Sequence, residues 1–340
     1  MDEIWLLLDS RGLGGIESHV AELAAGLAEE GLRPRVVLLA DHGPHPLRPR
    51  LAAAGVPLTV LPGGLGALRR ALAAARPALL HTHGYKANLL GRAAALSLGL
   101  PVVASYHAGE RPPGRLALYD ALDRWTSLAG PRLAVSRPIL ARLPWGGMLA
   151  PNFVALPAAP RLAGCETVAF VGRLSAEKGP DLFCELARRL PGTGFALYGA
   201  GPEQAATLAA APANLVLHGA VPGMAGHWDK VGLLAITSRA EGLPLAALEA
   251  MAHGVPVAAF AVGGLPDLIS HGGDGFLAAP GDLPALAARV TAWRALGPAG
   301  RLAMAKAARR TIASRFGRAA GVAVVRQAYA AACGPVAALA

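Results

Sequence analysis

Residues 238–254 read Ser-Arg-Ala-Glu-Gly-Leu-Pro-Leu-Ala-Ala-Leu-Glu-Ala-Met-Ala-His-Gly and follow an apolar, strand-like run, Leu233–Thr237. Pro244 suits the first turn of a helix and Gly254 suits its stop. First-turn amides have no acceptor within their own helix, and that end of the helix dipole is positive. Leu243, Leu245 and Ala246 are therefore candidate donors to a diphosphate, whereas Pro244 has no N–H to give. Glu241 stands just before the helix, and Glu249 lies more than a turn inside it. Two carboxylates so spaced can reach different parts of one elongated ligand held at the helix start. The plainer alternatives are a capping role for Glu241 and a solvated position for Glu249.

Three weaker signals sit at other strand ends. In Val171-Gly-Arg-Leu-Ser-Ala-Glu-Lys-Gly179, Arg173 and Lys178 place two cations where phosphate groups bind in open α/β sheets. Lys178 is one of only four lysines in a chain that otherwise prefers arginine, although a solvated turn would read the same way. Gly12-Leu-Gly-Gly-Ile-Glu17 opens a helix after the first strand, and its glycines let backbone approach an anion. A dinucleotide fingerprint would need glycine where Glu17 stands, but Asp41 could mimic the ribose-binding acid, which keeps a nicotinamide-dependent oxidoreductase in view. His107 follows a further strand. His81-Thr82-His83 suggests a metal pair only faintly, since no carboxylate follows nearby, and the expectation is no metal.

Short apolar runs alternate with helical patterns along nearly the whole chain. Strands are expected at Glu3–Asp9, Arg35–Ala40, Pro57–Leu61, Ala78–His81, Pro101–Tyr106 and Arg132–Ser136. A second series is expected at Thr167–Val171, Phe195–Tyr198, Leu215–Leu217, Leu233–Thr237 and Pro256–Phe260. Between the two series, Pro144, Pro151, Pro157 and Pro160 break regular structure and mark a linker; beyond about Leu283 the pattern is helical with no strand. This alternation argues an α/β protein of two doubly wound parallel-sheet domains facing across a cleft, with ligands at the carboxyl ends of the strands.

The 340 residues are 54% hydrophobic, enough for two cores. Cys165, Cys184 and Cys333 lie far apart and make neither a disulfide framework nor a zinc pattern, which fits a reducing compartment. The net charge of +10 divides as +5 in each half, with no basic tail, so nucleic acid is not an expected partner. The start, Met-Asp-Glu with a short apolar run, does not read as a secretory signal, and no stretch is long and apolar enough to span a bilayer. The expected location is the cytoplasm, at most peripheral at the inner face of the membrane. For that contact the candidate is residues 64–76, an amphipathic helix with Leu65, Leu68 and Leu72 beside Arg69, Arg70 and Arg76, which would otherwise pack on the sheet.

Taken together, Gly14-Gly15-Ile16-Glu17, Arg173…Glu177-Lys178-Gly179, Gly199-Ala200-Gly201-Pro202, Glu241…Glu249, Gly263-Gly264-Leu265-Pro266-Asp267, Gly272–Leu277 and Pro280-Gly281-Asp282 resemble the group 1 (family 4) retaining glycosyltransferases of GT-B fold. The likeness runs nearly full length, and its C-terminal block is the specific part. It implies an acceptor-side Rossmann-like domain over residues 1–155, a nucleotide-sugar-binding one over 156–315, and a C-terminal helix over 316–340 packing back toward the first.

The resemblance also assigns roles. Arg173 and Lys178 would bind the donor diphosphate with Gly15 and the amides of Leu243, Leu245 and Ala246; Glu249 would hold the ribose. Glu241 would contact the transferred sugar, and His107 resembles the histidine that touches it. The expected reaction is metal-independent transfer, with retention, from a nucleotide-diphosphate sugar to a sugar, lipid-linked glycan or small-molecule acceptor. A UDP-sugar is the first candidate donor; it is a substrate, and no cofactor is expected. A relative that binds nucleotide sugar without transferring it is the remaining alternative.

Overall fold

The computed structural model describes residues 3–109, 114–158 and 164–334; Pro160 of the linker region and residues 335–340 lie outside that set. No helix among the described residues is long and apolar enough to cross a membrane. The chain divides into two compact units, one of Met1–Phe153 with Arg318–Ala340, the other Val154–Gly317.

The first unit holds seven strands: β1 (Glu3–Leu8), β2 (Arg33–Leu38), β3 (Leu58–Val60), β4 (Leu79–His83), β5 (Val102–Tyr106), β6 (Arg132–Ala134) and β7 (Met148–Leu149). The second holds six: β8 (Val168–Val171), β9 (Phe195–Tyr198), β10 (Leu215–Gly219), β11 (Leu233–Ile236), β12 (Val257–Phe260) and β13 (Gly275–Ala278). Between and after them run α1 (Gly15–Glu29), α2 (Leu47–Ala53), α3 (Gly64–Ala75), α4 (Tyr85–Leu96), α5 (Arg115–Trp125), α6 (Arg137–Leu140) and α7 (Pro180–Arg189). The series continues with α8 (Gln204–Ala210), α9 (Leu245–Ala252), α10 (Leu265–Leu268), α11 (Leu283–Ala295), α12 (Gly297–Thr311) and α13 (Arg318–Cys333).

Every strand pairing in both sheets is parallel. The orders are β3-β2-β1-β4-β5-β6-β7 and β10-β9-β8-β11-β12-β13. In each, the chain steps outward on one side of its first strand and returns to the other, so the order reverses at β1/β4 and at β8/β11. Helices diverge there and leave a crevice at the carboxyl ends, where ligands of doubly wound sheets bind. The short apolar runs become central strands because helices cover both sheet faces, and a buried parallel strand has no polar side to alternate with.

Two strands depart from the sequence reading. β7 lies inside the expected linker, because only two residues pair with β6 and leave no periodicity. β13 runs alongside β12 in a glycine-led stretch without a β-branched residue. Pro244 caps α9 rather than entering it, with φ −69° and ψ 124°.

The α3 face of Ala67, Leu68 and Leu72 is buried in the first unit's core. Of the expected stripe, Leu68 and Leu72 are thus packed in the core and Leu65 is exposed. The last helix, α13, belongs to the first unit. Arg318 pairs with Glu22 and Glu29, Arg326 pairs with Glu30, and Tyr329 is fully buried.

Candidate functional site

In the second unit, the loops after β8 and β11 converge at the switch point. Gly179 has φ +66°, and a Cβ there would lie 2.4 Å from the Thr237 carbonyl oxygen, so only glycine allows the two loops this close. The Thr237 hydroxyl donates to the Gly179 carbonyl at 2.8 Å, and the Arg239 amide donates to the Glu177 carbonyl at 2.8 Å. A second glycine, Gly263 at φ +58°, backs the next turn, where a Cβ would lie 2.3 Å from the Glu241 carbonyl oxygen.

This clamp brings Lys178 onto Glu241. The ammonium stands 2.8 and 2.7 Å from Oε1 and Oε2, and the Ser238 hydroxyl donates to Oε1 at 2.6 Å. The Glu241 side chain is 5% exposed and that of Lys178 30%, so the carboxylate is fixed from below while the cation keeps a solvent face. Arg173 is exposed and, among the described residues, pairs with no carboxylate. The Leu174 amide donates to the Ala200 carbonyl and the Leu174 carbonyl accepts from the Glu203 amide, so the loop is also held from the β9 side.

The Pro244 carbonyl accepts from Ala247 and Leu248 at 3.1 and 3.4 Å, leaving Leu245 and Ala246 as the first-turn amides that the helix itself does not use. Leu243 is buried immediately before the cap. Ala246 and Glu249, three apart, are both half-buried and share one face of α9. Lys178 and Glu241 thus meet just before the α9 N-terminus, with Arg173 on the same β8 loop as Lys178 and Glu249 more than a turn inside α9. The arrangement suits an elongated ligand with a diphosphate at its middle.

In the first unit, Gly14 and Gly15 are exposed at the start of α1, where the Ser18 amide bonds the Gly14 carbonyl at 3.0 Å. His107 leaves the end of β5 and meets two other histidines. Its Nε2 lies 3.1 Å from His83 Nδ1, and its ring centroid lies 4.9 Å from that of His19. His81 is bound below them, 2.8 Å from the Tyr329 hydroxyl and 2.8 Å from the Ser105 hydroxyl. Burial lowers all four imidazoles: His19 to about 4, His81 to about 3, and His83 and His107 well below the ordinary value. They are neutral at pH 7, each able to donate at one nitrogen and accept at the other. His19 Nδ1, His83 Nε2 and His107 Nδ1 are buried without a hydrogen-bond partner.

Ring nitrogens of His19, His83 and His107 all lie within 4.8 Å of one another, a grouping that could take a metal ion. A tetrahedral site would bring them to about 3.3 Å, given metal–nitrogen bonds of about 2.05 Å. The His83–His107 pair, at 3.1 Å, is near that spacing and is hydrogen-bonded.

Beside His107, a pocket of about 50 Å³ is lined by Ile16, Asn88, Ser105, Asp120, Arg124 and Arg142 among others. The sequence patterns assign no role to Ser238, His19, Asn88, Asp120, Arg124 or Arg142. Ser238, three before Glu241, had a local signal; the others meet only through the fold.

A family model described as Glycosyltransferase Family 4 matches residues 13–145, and one described as Glycosyl transferases group 1 matches residues 165–294. The D-inositol 3-phosphate glycosyltransferase of Mycobacterium avium is 37% identical over 130 residues, covering 35% of this chain and 31% of that protein. The chain thus spans under a third of that relative. The 2-deoxystreptamine N-acetyl-D-glucosaminyltransferase of Streptomyces fradiae is 28% identical over 348 residues, covering 81% of each. Among solved structures, Anabaena Alr3699/HepE in complex with UDP superposes with a TM-score of 0.81 at 20% identity, covering 96% of this chain and 99% of that one.

Proposed function

Because the chain belongs to the group 1, family 4 glycosyltransferases of GT-B fold, we propose that it transfers a sugar from a nucleoside-diphosphate sugar, a UDP-sugar first among them, to an acceptor at its N-terminal unit. Transfer proceeds with retention of configuration and needs no metal on the donor. The carrying observation is the Lys178–Glu241 contact at the start of α9. Family membership leaves the oxidoreductase reading without support, and Glu17 already weighed against it.

In this reading the diphosphate lies over Lys178, Arg173 and the amides of Leu245 and Ala246, with Leu243 beside them. Glu249 takes the ribose hydroxyls. Glu241 meets the transferred sugar. During the reaction the bond from the anomeric carbon to the phosphate oxygen breaks and the bond to the acceptor oxygen forms on the same face. The acceptor proton passes to the departing phosphate oxygen. No side chain need act as base. The chemical demand is to hold the charge gathering on the diphosphate, and prepositioned cations and amides do so without reorganising. Fixed cations at this junction are the support for metal-independent transfer.

Glycans, lipid-linked glycans and small molecules remain the acceptor classes. The three free cysteines fit a cytoplasmic setting. A panel of nucleotide sugars tests the reading: one should raise the melting temperature and slowly release nucleoside diphosphate without acceptor, and Lys178→Ala or Glu241→Ala should reduce that release. Failure of every nucleotide sugar to bind at millimolar concentration sinks the proposal. Binding without turnover on any acceptor would favour a non-catalytic nucleotide-sugar binder instead.

A further inference from the structure

Three histidines from separate stretches of the first unit meet at the carboxyl ends of its central strands. His19 comes from the second turn of α1, His83 ends β4, and His107 directly follows β5. One ligand nitrogen from each ring lies within 4.8 Å of the other two. His83 Nδ1 and His107 Nε2 are 3.1 Å apart, and the His19 ring lies 5.7 Å from that of His83 and 4.9 Å from that of His107 between centroids. Buried polar atoms are ordinarily hydrogen-bonded. Here each ring has a buried nitrogen with no such partner: His19 Nδ1, His83 Nε2 and His107 Nδ1.

His81 differs from these three. Both of its nitrogens are engaged, Nδ1 with the Tyr329 hydroxyl and Nε2 with the Ser105 hydroxyl, each at 2.8 Å. It has no nitrogen to give, and its ring supports that of His83 at 4.1 Å between centroids. Phe153 meets His19 edge-on at 5.4 Å. The three remaining imidazoles are therefore carried on a helix and two strand ends and are braced by packing, as a preformed ligand set requires. The His81–His83 pair suggested by spacing along the chain is not the set that the fold assembles.

We propose that His19, His83 and His107 bind a divalent metal ion of the zinc class, with one nitrogen from each ring. The donor set selects the ion. Among the described residues the grouping holds no carboxylate or thiolate, and imidazole alone suits zinc, cobalt, nickel or copper, whereas magnesium and calcium take oxygen ligands. Nitrogens on a tetrahedral zinc stand about 3.3 Å apart. The His83–His107 pair is already near that distance, and His19 has to close by about 1.5 Å or less, a side-chain movement. The ion takes the place of the proton shared by the pair; that proton moves to the other nitrogen of its own ring, so both rings stay neutral. Three protein ligands leave a fourth position for water. His107 also lines the pocket of about 50 Å³, which has room for one. The bound ion ties α1 to the ends of β4 and β5. It plays no part in holding the donor diphosphate, and it does not rest on the transferase reading.

The test is titration of zinc into the full chain, carrying no affinity tag and stripped of metal by a chelator, read by calorimetry and by melting temperature. One equivalent should bind and raise the melting temperature. Cobalt(II) in its place should give the strong visible absorption of a four-coordinate ion. His19→Ala and His107→Ala should each weaken zinc binding about a hundredfold, the upper end of what losing even an outer-shell partner costs. His218→Ala, at an exposed position of the second unit, should leave it unchanged. No binding by the wild type, equal binding by the His19 and His107 variants, or loss of binding in the His218 variant overturns the site. If the buried-histidine variants fail to fold, X-ray absorption of the zinc-loaded wild type decides: three imidazoles are expected, and fewer than three overturn the proposal.

Discussion

Lys178 and Glu241 are 63 residues apart and form a two-pronged ion pair, 2.8 and 2.7 Å from nitrogen to the two oxygens. The pair joins the cation proposed for the diphosphate to the carboxylate proposed for the sugar. Each group satisfies the other, so the buried carboxylate is not left unpaired. In the proposed reading, a bound donor would share Lys178 between a carboxylate and a phosphate.

Removing the carboxylate should therefore separate binding from catalysis. Glu241→Gln leaves Lys178 for the diphosphate alone and takes a negative charge from beside it. Nucleoside diphosphate should then bind as tightly as in the wild type or tighter, while transfer falls. Lys178→Ala should weaken binding and raise the barrier by about 3 kcal/mol, the scale for losing one preorganised charge-stabilising donor. Titration calorimetry with UDP beside steady-state kinetics reads both; weaker UDP binding by Glu241→Gln would contradict the shared-cation picture.

Glu249 shares a face of α9 with Ala246 but not the ion pair. Its proposed work is on the ribose, away from the bond that breaks. Glu249→Ala should raise the donor KM about tenfold with a smaller change in kcat, as for an interaction equal in ground and transition states. The wild-type preference for a ribonucleotide over its 2′-deoxy analogue should shrink in the same variant. An unaltered preference would remove Glu249 from the ribose.

The buried histidines His19, His81 and His83, with the half-buried His107, make stability pH-dependent. Their folded-state pKa values are depressed by burial, with His19 at about 4 and His81 at about 3, whereas an unfolded histidine titrates near its ordinary value of 6.5. Between those values the unfolded chain binds more protons, so stability rises with pH across the window and falls as the solution is acidified. Each histidine contributes a slope of about 1.4 kcal/mol per pH unit inside its window. Chemical denaturation from pH 7 to pH 4.5 should show this loss, and His81→Asn should flatten it. A flat profile would mean the imidazoles are hydrated or paired in solution.

Asp123 and Arg92 are 3% and 4% exposed at their side chains and 2.5 Å apart. Asp123→Asn leaves the guanidinium buried without its counter-charge and should cost about 3 kcal/mol of stability. Because α5 hangs from this pair, hydrogen exchange should rise first in residues 115–128. A variant as stable as the wild type would show that water reaches Arg92.

Much of the candidate site was legible because its signals are local. Glu241, the α9 start and Glu249 lie within one strand–helix step, where Pro244 and Gly254 punctuate the chain. The runs that became central strands announced themselves by apolar, β-branched composition. β13 did not, since Gly275-Phe-Leu-Ala278 is a strand only because β12 offers it a parallel partner. β7 is too short for any periodicity to register.

The amino-acid sequence by itself determined which residues are chemically capable and which of them share a turn or face: the cations at 173 and 178, the glutamates eight apart, the glycine loop at 12–15. Short-range geometry follows from spacing, because 3.6 residues per helical turn and alternation along strands hold wherever the element packs. Only the tertiary structure decided the rest. It paired Lys178 with Glu241 through the close approach at Gly179, seated His81 against Tyr329 from 248 residues away, and turned Leu118, Leu122 and Trp125 of α5 outward by burying Asp123 instead. Periodicity says which side chains stand together. Which way that face turns depends on partners distant in the chain, and those exist only once the sheet is assembled.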